Sequence, residues 1–90
     1  MYHFKYLTVD SGNKYFDSRN NCNAVINTET NSLVIGCPNT IIPDSVTSIA
    51  PSAFATVKLT EFTIPNTITT IGHGAFRAST LEKVFVYGGT

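Results

Sequence analysis

Thr40-Ile41-Ile42-Pro43-Asp44-Ser45-Val46-Thr47-Ser48-Ile49-Ala50-Pro51-Ser52-Ala53-Phe54 is followed, 22 residues on, by Phe62-Thr63-Ile64-Pro65-Asn66-Thr67-Ile68-Thr69-Thr70-Ile71-Gly72-His73-Gly74-Ala75-Phe76. Ile42 answers to Ile64, Pro43 to Pro65, Val46 to Ile68, Ile49 to Ile71, Phe54 to Phe76 and Leu59 to Leu81, and Val84-Phe85-Val86 opens a third copy. A fixed period of this length marks a solenoid, in which each repeat is one coil stacked on the next.

One copy cannot be stable by itself. Ile64, Ile68, Ile71, Phe76 and Leu81 are spread along it with polar Thr, Asn and Ser between them. They hold no helical period for more than a turn and alternate as a strand only at Phe62-Thr63-Ile64. A coil that bends several times satisfies them all, each bend returning an apolar side chain to one interior. Pro65 has no N–H and ends the strand before it; Gly72 and Gly74, or Pro51, mark the next bend. Burying a large apolar side chain contributes roughly 1.5–3 kcal/mol, against about 1–2 kcal/mol per residue for ordering the backbone. Only several coils, each covering the next, overcome that cost.

Stacking places equivalent residues in columns. Thr40, Phe62 and Val84 make one interior column, and Ile42, Ile64 and Val86 the next. Strand side chains alternate faces, so Asn39, Ile41, Glu61, Thr63, Lys83 and Phe85 form an outward surface of two short rows. Glu61 beside Lys83 can pair across coils. This surface is the candidate binding face; the plainer reading is an ordinary solvated sheet.

Toward the N-terminus, Phe4-Lys5-Tyr6-Leu7-Thr8-Val9 repeats the spacing of Leu59 to Ile64 and sets Phe4, Leu7 and Val9 in the interior columns. Val9 to Ile42 is 33 residues, one period plus eleven, so the second coil carries an insertion. Asp10-Ser11-Gly12-Asn13 is a turn by composition, and Tyr15-Phe16 supplies the apolar bend that Ala-Phe supplies later. The insertion reads as a hairpin: 22–27 and 32–37 flank the polar Thr28-Glu29-Thr30-Asn31. Pairing Ile26 with Leu33 and Ala24 with Ile35 sets Cys22 opposite Cys37. Two states are open to them, a cross-strand disulfide or a pair of small buried thiols. The expected domain is a single one over 1–90: a partial coil at 1–12, a long repeat with the hairpin at 13–39, repeats at 40–61 and 62–83, and the start of the next coil at 84–90.

Composition bounds the partners. Six basic and six acidic residues cancel, with neither sign clustered, which argues against phosphate contacts and a nucleic-acid partner. Apolar runs fall far short of the roughly 20 residues needed to cross a bilayer, so no membrane insertion is expected. No secretory leader is visible at Met1-Tyr2-His3-Phe4-Lys5-Tyr6.

The pattern Ile64-Pro65-x-x-Ile68-x-x-Ile71-Gly72-x-x-Ala75-Phe76-x-x-x-x-Leu81-x-x-Val84-x-Val86 resembles the BspA-type leucine-rich repeat, common in surface proteins of gut and oral bacteria and of some parasitic protists. The stretch from Asn13 and Phe16 through Cys22, Cys37 and Pro43 is similar to a longer repeat variant of the same proteins. Ala50-Pro51, standing where Gly72-His73 stands in the next copy, is a mild departure. The resemblance implies a β-rich solenoid of right-handed leucine-rich repeat coils, with short parallel strands and little helix. It also implies a cell-surface or secreted setting, and attachment to host surface or matrix proteins or to other cells. The family shares no catalytic residues to carry over. Neither end of the chain reads as capped, so a longer array, or self-association through uncovered ends, is expected.

Searching the residues for chemistry points away from an enzyme. His73 sits between two glycines in a bend, and His3 has no fixed carboxylate neighbour in the sequence. The acids are scattered singly, no Gly-x-Ser-x-Gly turn appears, and two Cys without a CxxC or a nearby His make no zinc site. No cofactor or metal is expected. The favoured function is a noncatalytic adhesion or protein-interaction module; the alternative is a structural spacer that displays an attached domain and binds nothing itself.

Overall fold

Thr, Asn and Ser are weak helix formers, and no long apolar stripe recurs at helical spacing, so extended chain dominates. The computed structural model describes residues 6–86, and of residues 60, 61 and 81–86 the backbone alone. His3 and Phe4 lie outside the described residues. Seven strands follow in order: β1 (Phe16–Asp17), β2 (Val25–Asn27), β3 (Ser32–Ile35), β4 (Ser48–Ile49), β5 (Lys58–Ile64), β6 (Thr70–Ile71) and β7 (Thr80–Val86). A single 3-10 turn at Arg19–Asn21 is the helical content among the described residues.

The strands form two sheets. One is mixed and open, in the order β1-β2-β3-β4-β6; the other pairs β5 with β7. Within the first, β1, β2 and β3 run antiparallel, whereas β3–β4 and β4–β6 are parallel. The repeat period reappears in the register of both sheets: Ser48 pairs with Thr70 and Ile49 with Ile71, and Phe62 pairs with Val84 and Ile64 with Val86. Pro65 directly follows β5, where its missing N–H ends the ladder.

The connecting turns stack as well. Phe54 N–H donates to Ala75 O at 2.7 Å and Thr56 N–H to Arg77 O at 2.8 Å. Each turn holds two left-handed residues, Ser52 and Thr56 in one copy and Gly74 and Ala78 in the next. Only the third of these four is a glycine, so packing imposes that conformation on residues that ordinarily avoid it. Gly72 answers to a different constraint: a Cβ there would collide with the backbone between Ala50 and Pro51 of the neighbouring repeat.

The core follows the columns. Ile26, Leu33, Val46, Ile49, Phe54 and Leu59 are essentially inaccessible. The rings of Phe54 and Phe76, 22 residues apart in sequence, stack with centroids 5.3 Å apart and planes 2° from parallel. Phe62 meets both edge-on, the geometry that aromatic quadrupoles favour. Thr40, Ile42, Phe62 and Ile64 are buried, but the register aligns the expected columns only from Phe62 to Val84 and from Ile64 to Val86, and residues 40–42 form no strand beside them.

Three expectations fail in detail. The hairpin pairs Ile26 with Leu33, but Val25, not Ala24, lies opposite Ile35. Val34 is the extra residue of a bulge, which removes the register that would have set Cys22 across from Cys37. Beyond the bulge the chain leaves the hairpin, with Gly36 N–H donating to Ala53 O at 2.9 Å. The Phe54 ring lies so close over Gly36 that no Cβ fits there. Tyr15-Phe16 is not an interior bend either: Tyr15 is exposed, and Phe16 begins β1, opposite Asn27. Finally, Leu7 and Val9 are only half-buried, and 6–10 joins no sheet.

Candidate functional site

The stretch 37–41 is fastened to the hairpin. Ile41 N–H donates to Cys22 O at 3.0 Å, and Thr40 N–H to Cys37 O at 3.1 Å. The Thr40 hydroxyl accepts from Cys37 N–H at 2.8 Å and donates to Asn23 O. Each backbone N–H has one proton to donate, and those of Thr40 and Ile41 are spent on Cys37 O and Cys22 O. Chain committed to 22–23 therefore does not extend the β5–β7 ladder, and residues 40–42 form no strand. β5 pairs with β7 alone among the described residues.

A cleft of about 410 Å³ opens where that ladder stops. Buried Thr40, Ile42, Phe62 and Pro65 line it, with exposed Ile41, Thr63 and Asp44. Ile41, one of the apolar residues of the lining, is 76% exposed. The lining is mostly apolar, and its one ionisable side chain is Asp44.

The residues expected to form the outward face divide into two groups. Ile41 and Thr63 are exposed and share the cleft. Asn39 is exposed in the turn before Thr40, with its carbonyl accepting from Asn23 Nδ2 at 3.4 Å. The β5–β7 register sets Glu61 opposite Lys83 and Thr63 opposite Phe85; the side chains of Glu61, Lys83 and Phe85 lie outside the described residues. Sequence reasoning missed Asp44 and Pro65 as lining residues. The eleven-residue insertion was the available signal, because it lets 37–41 bond away from β5.

Asp44 occupies a tight turn closed by Val46 N–H donating to Pro43 O at 3.1 Å. The next repeat closes the same turn with Ile68 N–H on Pro65 O at 3.2 Å, and there Asn66 stands in place of the aspartate. The turn therefore does not require the charge.

A second polar cluster, also missed, fastens the hairpin to repeat 40–61. Arg19 grips Asp17 with Nε on Oδ1 and Nη2 on Oδ2, both at 2.7 Å. Its Nη1 donates to Asn31 Oδ1 at 2.7 Å and to Ser45 Oγ at 3.2 Å. The guanidinium holds the Asp17 carboxyl well below the usual carboxylate range; partial burial opposes this, and the Thr28 hydroxyl adds to it. This bidentate contact is the ion pair among the described residues. Cys22 and Cys37 are both buried thiols. Burial pushes the Cys22 thiol up, toward the protonated and unreactive form. His73 is exposed in its turn.

Among the described residues no group of three or more His, Cys, Asp or Glu side chains is placed to hold a metal, and no helix is long and apolar enough to cross a membrane. No curated protein and no solved structure matches the chain significantly. The description "BspA type Leucine rich repeat region (6 copies)" matches residues 26–88. That span includes β3, both complete repeats and every residue of the cleft. With its period written into the register of both sheets, the chain belongs to the BspA-type leucine-rich repeat family.

Proposed function

We propose that this chain is a noncatalytic protein-interaction module, a stretch of right-handed solenoid that works as an adhesion domain at the cell surface or outside the cell. Its partner is a protein, such as a host surface or matrix protein, and it binds on the outward face that contains Ile41 and Thr63. The observation that carries this reading is the exposure of Ile41 beside a mainly apolar cleft. Exposed apolar surface next to a concavity is where binding energy concentrates. Family membership adds support, since repeat arrays of this kind commonly bind through an extended face.

The test is a binding screen of the purified chain against matrix and cell-surface proteins, followed by Ile41→Lys and Thr63→Lys on any hit. Each should weaken binding by roughly tenfold, with His73→Ala as a silent control. If only core changes such as Ile64→Ala lower binding, the face is misplaced. If no protein binds and the full-length chain carries a neighbouring domain, the reading as a spacer that displays that domain is favoured.

A further inference from the structure

We infer that the cleft between residues 40–44 and β5 receives a basic side chain, a lysine or arginine carried on an extended segment of the partner protein. The inference rests on the binding face proposed above and adds the chemistry of what enters it.

The first argument is charge left over from folding. Asp44 is exposed beside the cleft, and Asn66 makes the equivalent turn without a charge. Among the described residues the acid–base contact is Arg19–Asp17, so Asp44 has no ion-pair partner there. A carboxylate that neither the turn nor a neighbouring cation needs is available to an incoming cation.

The second argument is shape and lining. Ile41, Ile42, Phe62 and Pro65 present hydrocarbon, and Thr40 and Thr63 add small hydroxyls. Lysine and arginine carry a long apolar stem under a charged head and bury the stem while the head stays near water. A cleft with an apolar lining, one exposed carboxylate and a volume of about 410 Å³ suits that division. An acidic side chain would meet Asp44 with repulsion, and a purely apolar one would leave the carboxylate idle. Complementary charge across such a contact sets partner choice and encounter rate more than raw affinity.

The experiment measures fluorescence anisotropy of two blocked, labelled peptides against the whole chain. One has a central lysine between valines; the other has norleucine, which keeps the stem and lacks the ammonium. The lysine peptide should bind about fivefold more tightly, the scale of an exposed ion pair. The preference should shrink as salt rises and disappear in Asp44→Asn. That variant should keep the wild-type urea midpoint, because Asn66 already serves in the matching turn. Equal affinity for the two peptides overturns the inference, as does a preference that survives Asp44→Asn. Absence of peptide binding also overturns it, including the case in which a dimer that Ile41→Lys dissociates shows a second copy filling the cleft. A protein partner weakened by Ile41→Lys but indifferent to Asp44→Asn would sink this inference alone and leave the proposed function standing.

Discussion

Repeats 40–61 and 62–83 carry the same pattern and meet different fates. β4, in the first, is paired on both sides, by β3 and by β6; β6, in the second, is paired only with β4 among the described residues. Ile49 is accordingly 1% exposed, and its counterpart Ile71 is 49% exposed. Val46 and Phe54 are fully buried, whereas Ile68 and Phe76 are half-buried. One ring shows the contrast most directly: Phe54 lies between Gly36 and Phe76, while Phe76 stacks on Phe54. Identical residues thus differ in worth according to what lies on either side of them. In a stacked array stability belongs to the interfaces between repeats more than to the repeats themselves.

The strongest way to break this comparison is to truncate the paired rings. Phe54→Ala should cost about 3–5 kcal/mol, the usual range for a buried aromatic, and Phe76→Ala only about 1–2 kcal/mol, for a ring half in water. Ile49→Ala and Ile71→Ala should separate in the same direction. Urea unfolding of the four variants reads all of this. Equal losses within a pair would mean that the two repeats are covered alike.

A smaller effect tests the close approach between the repeats. Gly72→Ala drives a methyl group into the Ala50–Pro51 backbone and should cost about 1–3 kcal/mol, the range for forced overpacking. Gly74→Ala, two residues away, should cost about 1–2 kcal/mol, through its left-handed backbone alone. Ser52 already tolerates that conformation at the matching position of the other repeat. Thermal melts of the two variants would settle the order, and a larger loss at Gly74 would remove close packing as the reason for the glycine at 72.

These glycines show what could be read in advance. The pairing of Ile49 with Ile71 and the stacking of Phe54 on Phe76 were legible because repetition states which residues are equivalent, and equivalent residues of stacked repeats must be neighbours. The hairpin was legible too, from two apolar runs around a polar turn. Its bulge at Val34 was not, since that register answers to a distant contact, the Phe54 ring over Gly36. At the candidate site, alternation alone placed Ile41 and Thr63 facing outward. The cleft between them depends on Ile41 N–H bonding to Cys22 O and not to β5, a choice between two partners that local pattern does not encode. Asp44 was overlooked because aspartate and asparagine look alike in a turn, and the difference matters only beside a cavity.

The smallest predicted effect concerns how repeat 40–61 acquires its second cover. Arg19 joins the Asp17 carboxylate to Asn31 in the hairpin and to Ser45 in the repeat, so part of that cover is held by charge. The folded-state pKa of Asp17 is depressed below the ordinary 3.8, so its contribution is complete above about pH 5. That contribution is lost as pH falls through 3.8 toward the lower folded value. The size should be about 1 kcal/mol, since the pair is partly exposed. Amide exchange, corrected for intrinsic rates, can locate the loss. Ala50 N–H donates to Leu33 O across the hairpin-side interface, and Gly72 N–H donates to Ile49 O across the interface between the repeats. On acidification the Ala50 amide should lose protection relative to Gly72. In Asp17→Asn, with no carboxylate to titrate, the ratio of the two should hold constant over the same range. If Gly72 loses protection as early as Ala50 in the unmodified protein, the two interfaces open together, and the hairpin is no separate cover.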